Sequence, residues 1–365
     1  MTRPARHPGT RDRRIPCAQL RLRHRDWTCL TACDKPGAGP QGVRTRHYDR
    51  LVARIAVIGA GVIGLSIAHE LAGAGHNVTV LADRDHTGAV SSVAAAIWFP
   101  HAVDAVPRVL ESAQLTRERL SALAARPETG VRLRTGTVLT RRPDPDLSWT
   151  SAVPVHRAAT PDELPPGAAG VTCELPVAVT NVYLAWLRAA VEARGVTFRA
   201  AELTTPDVAG RDADVVVVAA GLRSGALLGG DDEVFPIRGQ VVRLANPGLT
   251  RWLLDDENPG GLTYVVPRDG DVVCGGTGDV GSWDETADPA VERAILERAI
   301  ALVPALAGAP IVSRAVGLRP ARTSVRLETV SGYPTPVIAA YGHGGSGFTL
   351  SWGEAARVRA LVDAL

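Results

Sequence analysis

The sequence predicts an α/β protein that combines a helix-covered parallel sheet with a mainly antiparallel one. From Arg54 onward, short apolar runs alternate with helical patterns, which is typical of parallel strands joined by crossover helices. The segment 213–220 is almost wholly apolar and ends at Gly221, as in a strand covered on both faces. Between about 235 and 280 the strand patterns follow one another closely, with a turn at 268–270, which favours antiparallel pairing.

The hydrophobic periodicity predicts these elements in order along the chain. The predicted strands span 54–58, 77–81, 213–220, 238–244, 262–267, 271–275 and 336–340, with a further strand-like segment at 196–200. The predicted helices span 62–74, about 104–125, 180–194, 289–303 and 347–363. A chain of 365 residues that is 45% hydrophobic is long and apolar enough to bury a core of this kind.

Composition and charge argue against several function classes. No apolar run reaches the roughly 18–20 residues of a membrane helix. Residues 1–53 carry twelve basic residues against four aspartates, and they are predicted to be a disordered basic extension. The remaining residues carry excess negative charge, which argues against nucleic-acid binding. Five scattered cysteines indicate a reducing, cytoplasmic location, and Cys29 and Cys33 lack the further ligands that a zinc site needs.

A glycine motif predicts a dinucleotide site. Residues 55–58 form an apolar strand that runs directly into Gly-Ala-Gly-Val-Ile-Gly and then an apolar helix. The motif assigns cofactor-binding roles to Gly59, Ala60, Gly61, Val62, Ile63 and Gly64. Its first glycine allows the tight turn, the second lets backbone amides approach a pyrophosphate, and the third permits close packing of helix and strand.

Asp83 ends the second predicted strand, 19 residues after Gly64, where a carboxylate can accept hydrogen bonds from ribose hydroxyls. The next residue, Arg84, is expected either to lie on the adenosine or to face water. The motif by itself does not distinguish NAD from FAD.

Seven segments, in this order and spacing, resemble the D-amino-acid oxidase family, which includes D-aspartate oxidase and is close to glycine and sarcosine oxidases. They are Gly-Ala-Gly-Val-Ile-Gly-Leu-Ser at 59–66, Ala-Asp-Arg at 82–84, Ser-Ser-Val-Ala-Ala-Ala-Ile-Trp at 91–98, Ala-Ala-Gly at 219–221, Arg-Gly-Gln at 238–240, Gly-Leu-Arg-Pro at 317–320 and Tyr-Gly-His-Gly-Gly-Ser-Gly at 341–347. The last two are the most specific.

The resemblance implies an FAD-binding Rossmann-like domain interleaved with a mainly antiparallel substrate-binding domain. The first is expected at about 54–100, 195–235 and 310–365, and the second at about 101–194 and 236–309. The implied reaction is oxidative deamination of D-amino acids, by hydride transfer from Cα to flavin N5, to 2-oxo acids, ammonia and hydrogen peroxide. The expected partners are a small D-amino acid and O2, with a homodimer as a possibility and without nucleic acid, membrane or metal.

The resemblance also implies which residues hold the cofactor. Hydroxyl groups near the diphosphate and backbone near the isoalloxazine are expected from Ser91, Ser92, Ala95, Ala96 and Ile97. The backbone of Leu203 is expected to touch the adenine, and Gly221 is also expected to bind the cofactor. The turn before the C-terminal helix is expected to face the flavin through Gly344, Ser346, Gly347, Phe348 and Thr349, with Thr349 at the flavin O2 edge.

The substrate anchors follow from the same resemblance. Arg319 resembles the arginine that binds the substrate carboxylate, a task that suits a planar guanidinium. Tyr264 resembles the tyrosine whose hydroxyl donates to the same carboxylate, and the Gly345 carbonyl is expected to accept from the substrate amine. Arg322 is expected to be structural. His343 is expected to lie beside the flavin or to be structural, and not to act as a base, since the family's hydride transfer needs none.

Two departures limit what the resemblance implies. The best-known mammalian members have a tyrosine on a closing loop where this chain has Gly260, so we expect a shorter lid or none. The segment Trp-Phe-Pro-His at 98–101 falls where the family lines its pocket wall, and His101 would favour an acidic side chain. One histidine is thin support, so a neutral D-amino acid is the preferred substrate, with D-aspartate, glycine or a dehydrogenase reaction as alternatives.

Overall fold

The structure is a computed structural model, and it describes residues 52–100 and 106–365. In chain order the strands are β1 Arg54–Ile58, β2 Asn77–Ala82, β3 Val131–Thr140, β4 His156–Ala158, β5 Ala169–Ala178, β6 Thr197–Ala200, β7 Val215–Val218, β8 Phe235–Ala245, β9 Trp252–Asp255, β10 Thr263–Pro267, β11 Asp271–Gly275, β12 Asp279–Val280, β13 Ile311–Val330 and β14 Val337–His343. The α-helices are α1 Val62–Gly73, α2 Pro107–Leu123, α3 Thr180–Glu192, α4 Pro206–Gly210, α5 Ser224–Leu227, α6 Pro289–Leu302 and α7 Gly347–Asp363.

The strands of the described residues form one continuous mixed sheet. Its order is β4-β5-β3-β9-β10-β11-β8-β13-β14-β7-β1-β2-β6, and β12 pairs with β8 beside this path. Strands β14, β7, β1, β2 and β6 run parallel to one another, whereas β9, β10, β11, β8, β13 and β14 pair antiparallel. The sheet therefore changes from parallel to antiparallel at β14.

The parallel strands are covered on both faces, which is why β7 is a run of four valines. Val215 and Val217 pack in a cluster with α1, α2, α3 and α7, whereas Val216 and Val218 pack in a second cluster with residues of α4 and α5. Alternate side chains of a strand point to opposite faces, so a strand buried on both sides needs apolar residues throughout. A third cluster buries α6 against β8, β10 and β11.

The two parts of the sheet are connected by β13, a 20-residue strand. Its first half pairs with β8 and its second half with β14, and the register shifts between Ala321 and Arg326. Pro320 lies close to this irregularity, where a residue without an N–H group is tolerated in a strand. The irregularity lies directly after Arg319, at the junction between the parallel and antiparallel parts.

The predicted α/β fold class is confirmed, with a large mixed sheet in place of two separate sheets. Most predicted elements agree with the structure to within a few residues, but the strands β3, β4, β5, β9, β12 and β13 and the short helices α4 and α5 were missed. The predicted helix at about 104–125 is α2, whose earliest predicted residues lie outside the described range, as do Cys29, Cys33, His101 and residues 1–51 of the basic extension. Within the described ranges, no helix is both long and apolar enough to cross a membrane.

Candidate active site

A cleft of about 1410 Å³ opens at the carboxyl ends of the parallel strands and extends to the antiparallel part of the sheet. Its walls include the glycine turn after β1, the segment 87–97, the irregular part of β13 and the turn between β14 and α7. Ligands of open α/β sheets bind at this edge, so the cleft lies where the sequence predicts a nucleotide.

The glycine turn forms a cradle whose shape depends on the absence of side chains. Gly59 has φ +119°, and a Cβ atom there would overlap the carbonyl oxygen of Ala219 at the end of β7. A Cβ atom at Gly64 would overlap the carbonyl oxygen of Gly59. Gly61 is the N-cap of α1, so the positive end of that helix faces the cleft. Residues 59–63 line the cleft, whereas Gly64 serves the packing of helix and strand.

The end of the cleft expected to bind the adenosine is formed by residues that follow the parallel strands β2, β6 and β7. Asp83, directly after β2, accepts a hydrogen bond from Arg223 Nη1 at 2.6 Å. Arg223 Nη2 also donates to the Leu203 carbonyl at 3.2 Å. Arg84 Nε lies 3.9 Å from the Asp83 carboxylate, and its side chain is largely exposed. All four residues and Gly221 line the cleft, and Arg223 is the one that the sequence did not predict.

Residues 91–97, the segment expected at the diphosphate and the flavin, are held in place by hydrogen bonds from neighbouring segments. The Ser92 carbonyl accepts hydrogen bonds from Thr180 Oγ1 at 3.0 Å and from Arg243 Nη2 at 2.9 Å. Ser91 Oγ accepts from the Val62 N–H in the first turn of α1, at 3.1 Å. Ala96 has φ +55°, and its carbonyl accepts from Ala178 N at 2.9 Å. Ser91, Ser92, Ala95, Ala96 and Ile97 all line the cleft.

The turn between β14 and α7 brings backbone and small residues to the cleft through Gly344, Gly345, Gly347 and Phe348. Ser346 and Thr349 are buried and do not line it. The Thr349 hydroxyl donates to the Phe99 carbonyl at 2.8 Å and accepts from the Phe99 N–H at 3.2 Å. In this structure Thr349 therefore fixes the Phe99 backbone, and its contact with the flavin O2 edge stays a prediction.

His343 lines the cleft beside a buried carboxylate. Its Nε2 atom lies 3.8 Å from Glu354 Oε2 on α7, and both side chains are at most 3% exposed. Burial acts to raise the pKa of Glu354, but the neighbouring His343 imidazole and the hydrogen bond from Ser112 outweigh burial, so the pKa is lowered. The histidine therefore has a structural partner, in keeping with the role predicted for it.

Arg319 and Tyr264 meet at the far end of the cleft. Arg319 Nη1 donates to the Thr277 carbonyl at 2.8 Å, and its positive charge acts on the buried Tyr264 hydroxyl. Within the described residues no carboxylate lies within 4 Å of Arg319. Burial raises the pKa of Tyr264, against the charge of Arg319, so this phenol stays protonated at physiological pH. Together they form a cationic receptor with hydrogen-bond donors for an anion.

Arg322, only three residues after Arg319, is already paired. Its Nε donates to Asp231 at 3.0 Å and its Nη2 to Glu233 at 3.1 Å. Asp231 also accepts from the Tyr341 hydroxyl at 2.7 Å and from Arg326 at 3.3 Å. This cluster bridges the segment before β8, the irregular part of β13 and β14. Arg322 therefore has the structural role that the sequence predicts.

The substrate end of the cleft has an acidic rim with an exposed tryptophan. Asp256 and Glu285 line the cleft together with Trp283, whose side chain is 63% exposed. Gly260, at the position of the family's lid tyrosine, lies beside Arg298 and does not line the cleft. The sequence did not predict this rim, although the pattern Gly-Ser-Trp-Asp-Glu at 281–285 places an aromatic residue directly before two acidic ones.

Dinucleotide cradle and anion receptor lie in one continuous cleft, an arrangement typical of a cofactor-dependent enzyme that acts on a small carboxylate. Among residues 52–100 and 106–365, no cluster of three or more His, Cys, Asp or Glu residues that could hold a metal ion is found.

Comparison with known proteins agrees with this class. The family model described as FAD dependent oxidoreductase matches residues 54–361. A D-amino-acid oxidase of Rubrobacter xylanophilus is 46% identical over 319 residues, covering 86% of this chain and 97% of that protein. A D-amino-acid oxidase of Streptomyces coelicolor is 37% identical, covering 87% and 99%. Human D-aspartate oxidase is 34% identical, covering 85% and 95%.

The chain belongs to the D-amino-acid oxidase family of FAD-dependent oxidoreductases, and its cofactor is FAD. Among solved structures, a glycine oxidase from Geobacillus kaustophilus superposes with a TM-score of 0.71 at 22% identity, covering 86% of this chain and 95% of that one. At this identity the superposition shows that the two proteins share a fold.

Proposed function

We propose that this protein oxidatively deaminates neutral D-amino acids to 2-oxo acids, ammonia and hydrogen peroxide. The observation that carries this proposal is the pair of Arg319 and Tyr264, whose donors face a cleft that continues into the FAD cradle. A bidentate contact between a guanidinium and a carboxylate is strong and fixes the orientation of both groups. The pair therefore suits the α-carboxylate of an amino acid.

The chain's own residues mainly orient the substrate. Arg319 and Tyr264 hold the carboxylate, and Gly345 is close enough to serve the amine, since a Cβ atom there would lie 3.6 Å from Arg319 Cδ. Two fixed points and a side-chain pocket define which face of Cα points to the cofactor, and this selects one enantiomer. FAD, when bound, supplies the acceptor for the hydride that leaves Cα.

No proton has to be removed from Cα in such a reaction, so the residues need only bind and exclude water. The hydrogen leaves Cα as a hydride with the electron pair of the Cα–H bond, and the lone pair of the neutral amine forms the C=N bond of an imino acid. Water then converts the imino acid to the 2-oxo acid and ammonia. The two electrons pass finally to O2, which with two protons gives hydrogen peroxide.

A D-aspartate oxidase is the second candidate, and the similarity to the human enzyme of that name favours it. Against it stands the rim, where the carboxylates of Asp256 and Glu285 would repel an acidic side chain. We therefore favour neutral D-amino acids. We also propose that the loop that would cover the substrate is short, because Gly260 stands where the family has a tyrosine. The exposed aromatic residue that lines this part of the cleft is Trp283, which belongs to a different segment.

A substrate panel tests this proposal. Purified, FAD-loaded protein is assayed with D-alanine, D-valine, D-aspartate, glycine and L-alanine, and both peroxide and 2-oxo acid are measured. We expect kcat/KM to be highest for a neutral D-amino acid, with equal amounts of peroxide and 2-oxo acid. The highest kcat/KM with D-aspartate or glycine would move the function to the second candidate or to glycine oxidation. Turnover without peroxide would indicate a dehydrogenase.

The division into two interleaved domains is also part of this proposal. Support comes from the strands: β1, β2, β6, β7, β13 and β14 fall in the proposed FAD-binding segments, and β3, β5, β9, β10 and β11 in the substrate-binding segments. We further propose a cytoplasmic location, supported by the sparse cysteines, and a homodimer, which sedimentation analysis of the holoenzyme tests.

A further inference from the structure

Arg223 connects the ends of three of the parallel strands, β7, β2 and β6, at the adenosine end of the cleft. It belongs to the short turn after β7, and β7 and β2 flank β1 on opposite sides. Its guanidinium reaches across the end of β1 to Asp83 after β2 and to the Leu203 carbonyl after β6. One side chain thus spans the edge of the sheet at which the adenosine is expected.

The hydrogen bonds of this side chain divide its donors between the two predicted nucleotide contacts. Nη1 donates to Asp83 Oδ2 at 2.6 Å, and Nη2 donates to the Leu203 carbonyl at 3.2 Å and to Glu202 Oε1 at 3.3 Å. Among the described residues, Arg223 and Arg84 both contact the Asp83 carboxylate through Oδ2. A carboxylate held by one oxygen has a fixed orientation and keeps its other oxygen for a ligand.

The pair adds little to folding stability by itself. The Arg223 side chain is 40% exposed and that of Asp83 is 35% exposed. Exposed ion pairs contribute little to stability, because water and salt screen them. An arginine that lines the cleft, contacts two predicted ligand-binding positions and contributes little to stability is better explained by ligand positioning than by fold maintenance.

We infer that Arg223 is a positioning residue for the adenosine half of FAD. It orients the Asp83 carboxylate toward the ribose hydroxyls and holds the Leu203 backbone beside the adenine. The inference builds on the predicted roles of Asp83 and Leu203, and it does not depend on which amino acid the enzyme oxidises. Loss of Arg223 should therefore weaken binding of the adenosine moiety and leave the flavin half and the substrate end unchanged.

The test compares Arg223→Gln, Arg223→Lys and wild type in cofactor binding without substrate. FAD release from the holoenzyme is followed by flavin fluorescence, and the deflavinated full chain is then titrated with FAD. We expect Arg223→Gln to bind FAD roughly tenfold more weakly, which corresponds to about 1.4 kcal/mol. Arg223→Lys should be intermediate, because lysine keeps the charge but lacks the planar fork that contacts two acceptors at once.

ADP locates the effect, because it carries the adenosine diphosphate without the flavin. Its affinity, measured by competition with FAD, should fall by the same factor as that of FAD in Arg223→Gln. At saturating FAD, the flavin absorbance spectrum of Arg223→Gln should match that of wild type. Arg199→Gln is the matched control, since Arg199 is a largely exposed arginine on β6 that does not line the cleft.

The outcomes separate the alternatives. Unchanged FAD affinity in Arg223→Gln would overturn the inference. Weaker FAD binding with unchanged ADP affinity would also overturn it, because the effect would then lie outside the adenosine half. Equal losses of FAD affinity in Arg223→Gln and Arg199→Gln would also overturn it, because the effect would then come from the change in net charge. Failure of the proposed oxidase activity would leave every one of these binding results intact.

Discussion

The guanidinium group of Arg319 lies directly over Gly239 on the neighbouring strand. A Cβ atom at Gly239 would lie only 2.6 Å from Arg319 Nη1 and 2.5 Å from its Cζ. The two residues lie on β13 and β8, which pair antiparallel with Gly239 opposite Gly317. Tyr264 is placed in the same way, since a Cβ atom at Gly276 would lie 2.7 Å from its ring. Both substrate anchors therefore rest on glycines that leave room for them.

Replacing Gly239 by alanine should displace the Arg319 guanidinium from its position. We expect KM for D-alanine to rise about tenfold or more, because a misplaced guanidinium loses its bidentate contact with the substrate carboxylate. FAD affinity should change little. Steady-state kinetics with FAD titration measures both quantities. Gly270→Ala is the control, as a Cβ atom there meets open space; an unchanged KM in Gly239→Ala would contradict this account of Arg319.

Removing the Tyr264 hydroxyl in Tyr264→Phe should lower kcat/KM roughly tenfold without changing the shape of its pH profile. Burial raises the pKa of this phenol, so it remains a hydrogen-bond donor at least up to its ordinary pKa near 10. Its ionisation therefore lies outside the assay range. Measuring kcat/KM from pH 6 to 9.5 checks this, and an alkaline limb below pH 9 that vanishes in the variant would refute it.

The cofactor cradle could be predicted from sequence because it is local. A strand, six residues with three glycines and a helix follow one another, and the close approach of Gly64 to the Gly59 carbonyl lies within the motif itself. Asp83 could be placed for the same reason, since its distance from the motif is fixed by one helix and one strand. The roles of Arg319 and Tyr264 came from resemblance to a family, not from periodicity.

What the sequence did not predict depends on contacts between distant segments. Arg223 and Asp83 are 140 residues apart in the sequence, and Thr349 and Phe99 are 250 residues apart. No local sequence pattern predicts either contact. The strand β13 was missed because Gly317 and Pro320 read as strand breakers, and its burial does not alternate regularly. The strand forms because its backbone pairs with β8 on one side and with β14 on the other.

Replacing Asp231 by asparagine should destabilise the FAD-saturated protein by about 3 kcal/mol at pH 7, because two arginines lose a shared buried anion. Burial raises the pKa of Asp231, but the Tyr341 and Arg322 hydrogen bonds outweigh it and lower the pKa. A lowered carboxyl pKa stabilises the fold above the unfolded value near 3.9, and this contribution is lost as the pH falls through the folded value.

Denaturant unfolding of wild type and Asp231→Asn at pH 7 and at pH 3 measures this dependence. The difference in the free energy of unfolding should shrink at the lower pH, because pH 3 lies below the unfolded pKa of about 3.9 and the unfolded chain is then protonated at this position. Asp212→Asn serves as the control, because that side chain is 86% exposed. A difference between wild type and Asp231→Asn that stays constant from pH 7 to pH 3 would contradict the assigned ion cluster.

His343→Gln should leave the rate constant of flavin reduction by D-alanine within about tenfold of wild type. A general base contributes typically 10²–10⁴-fold, so its loss would be easily seen. Anaerobic stopped-flow mixing measures the rate constant directly. Glu354→Gln, which removes the charge of the histidine's buried partner, is the companion variant. A loss above 100-fold in FAD-loaded, folded His343→Gln would assign a proton-transfer role to the histidine.

The central claim is that a D-amino acid, held by Arg319 and Tyr264, gives up its Cα hydrogen to FAD. The most direct measurement is the absorbance of the purified holoenzyme on anaerobic addition of D-alanine or L-alanine. We expect D-alanine to bleach the oxidised flavin band within seconds and L-alanine to leave it unchanged, with peroxide appearing when air is readmitted. Bleaching by L-alanine, or by neither enantiomer nor any other neutral D-amino acid, would contradict the account.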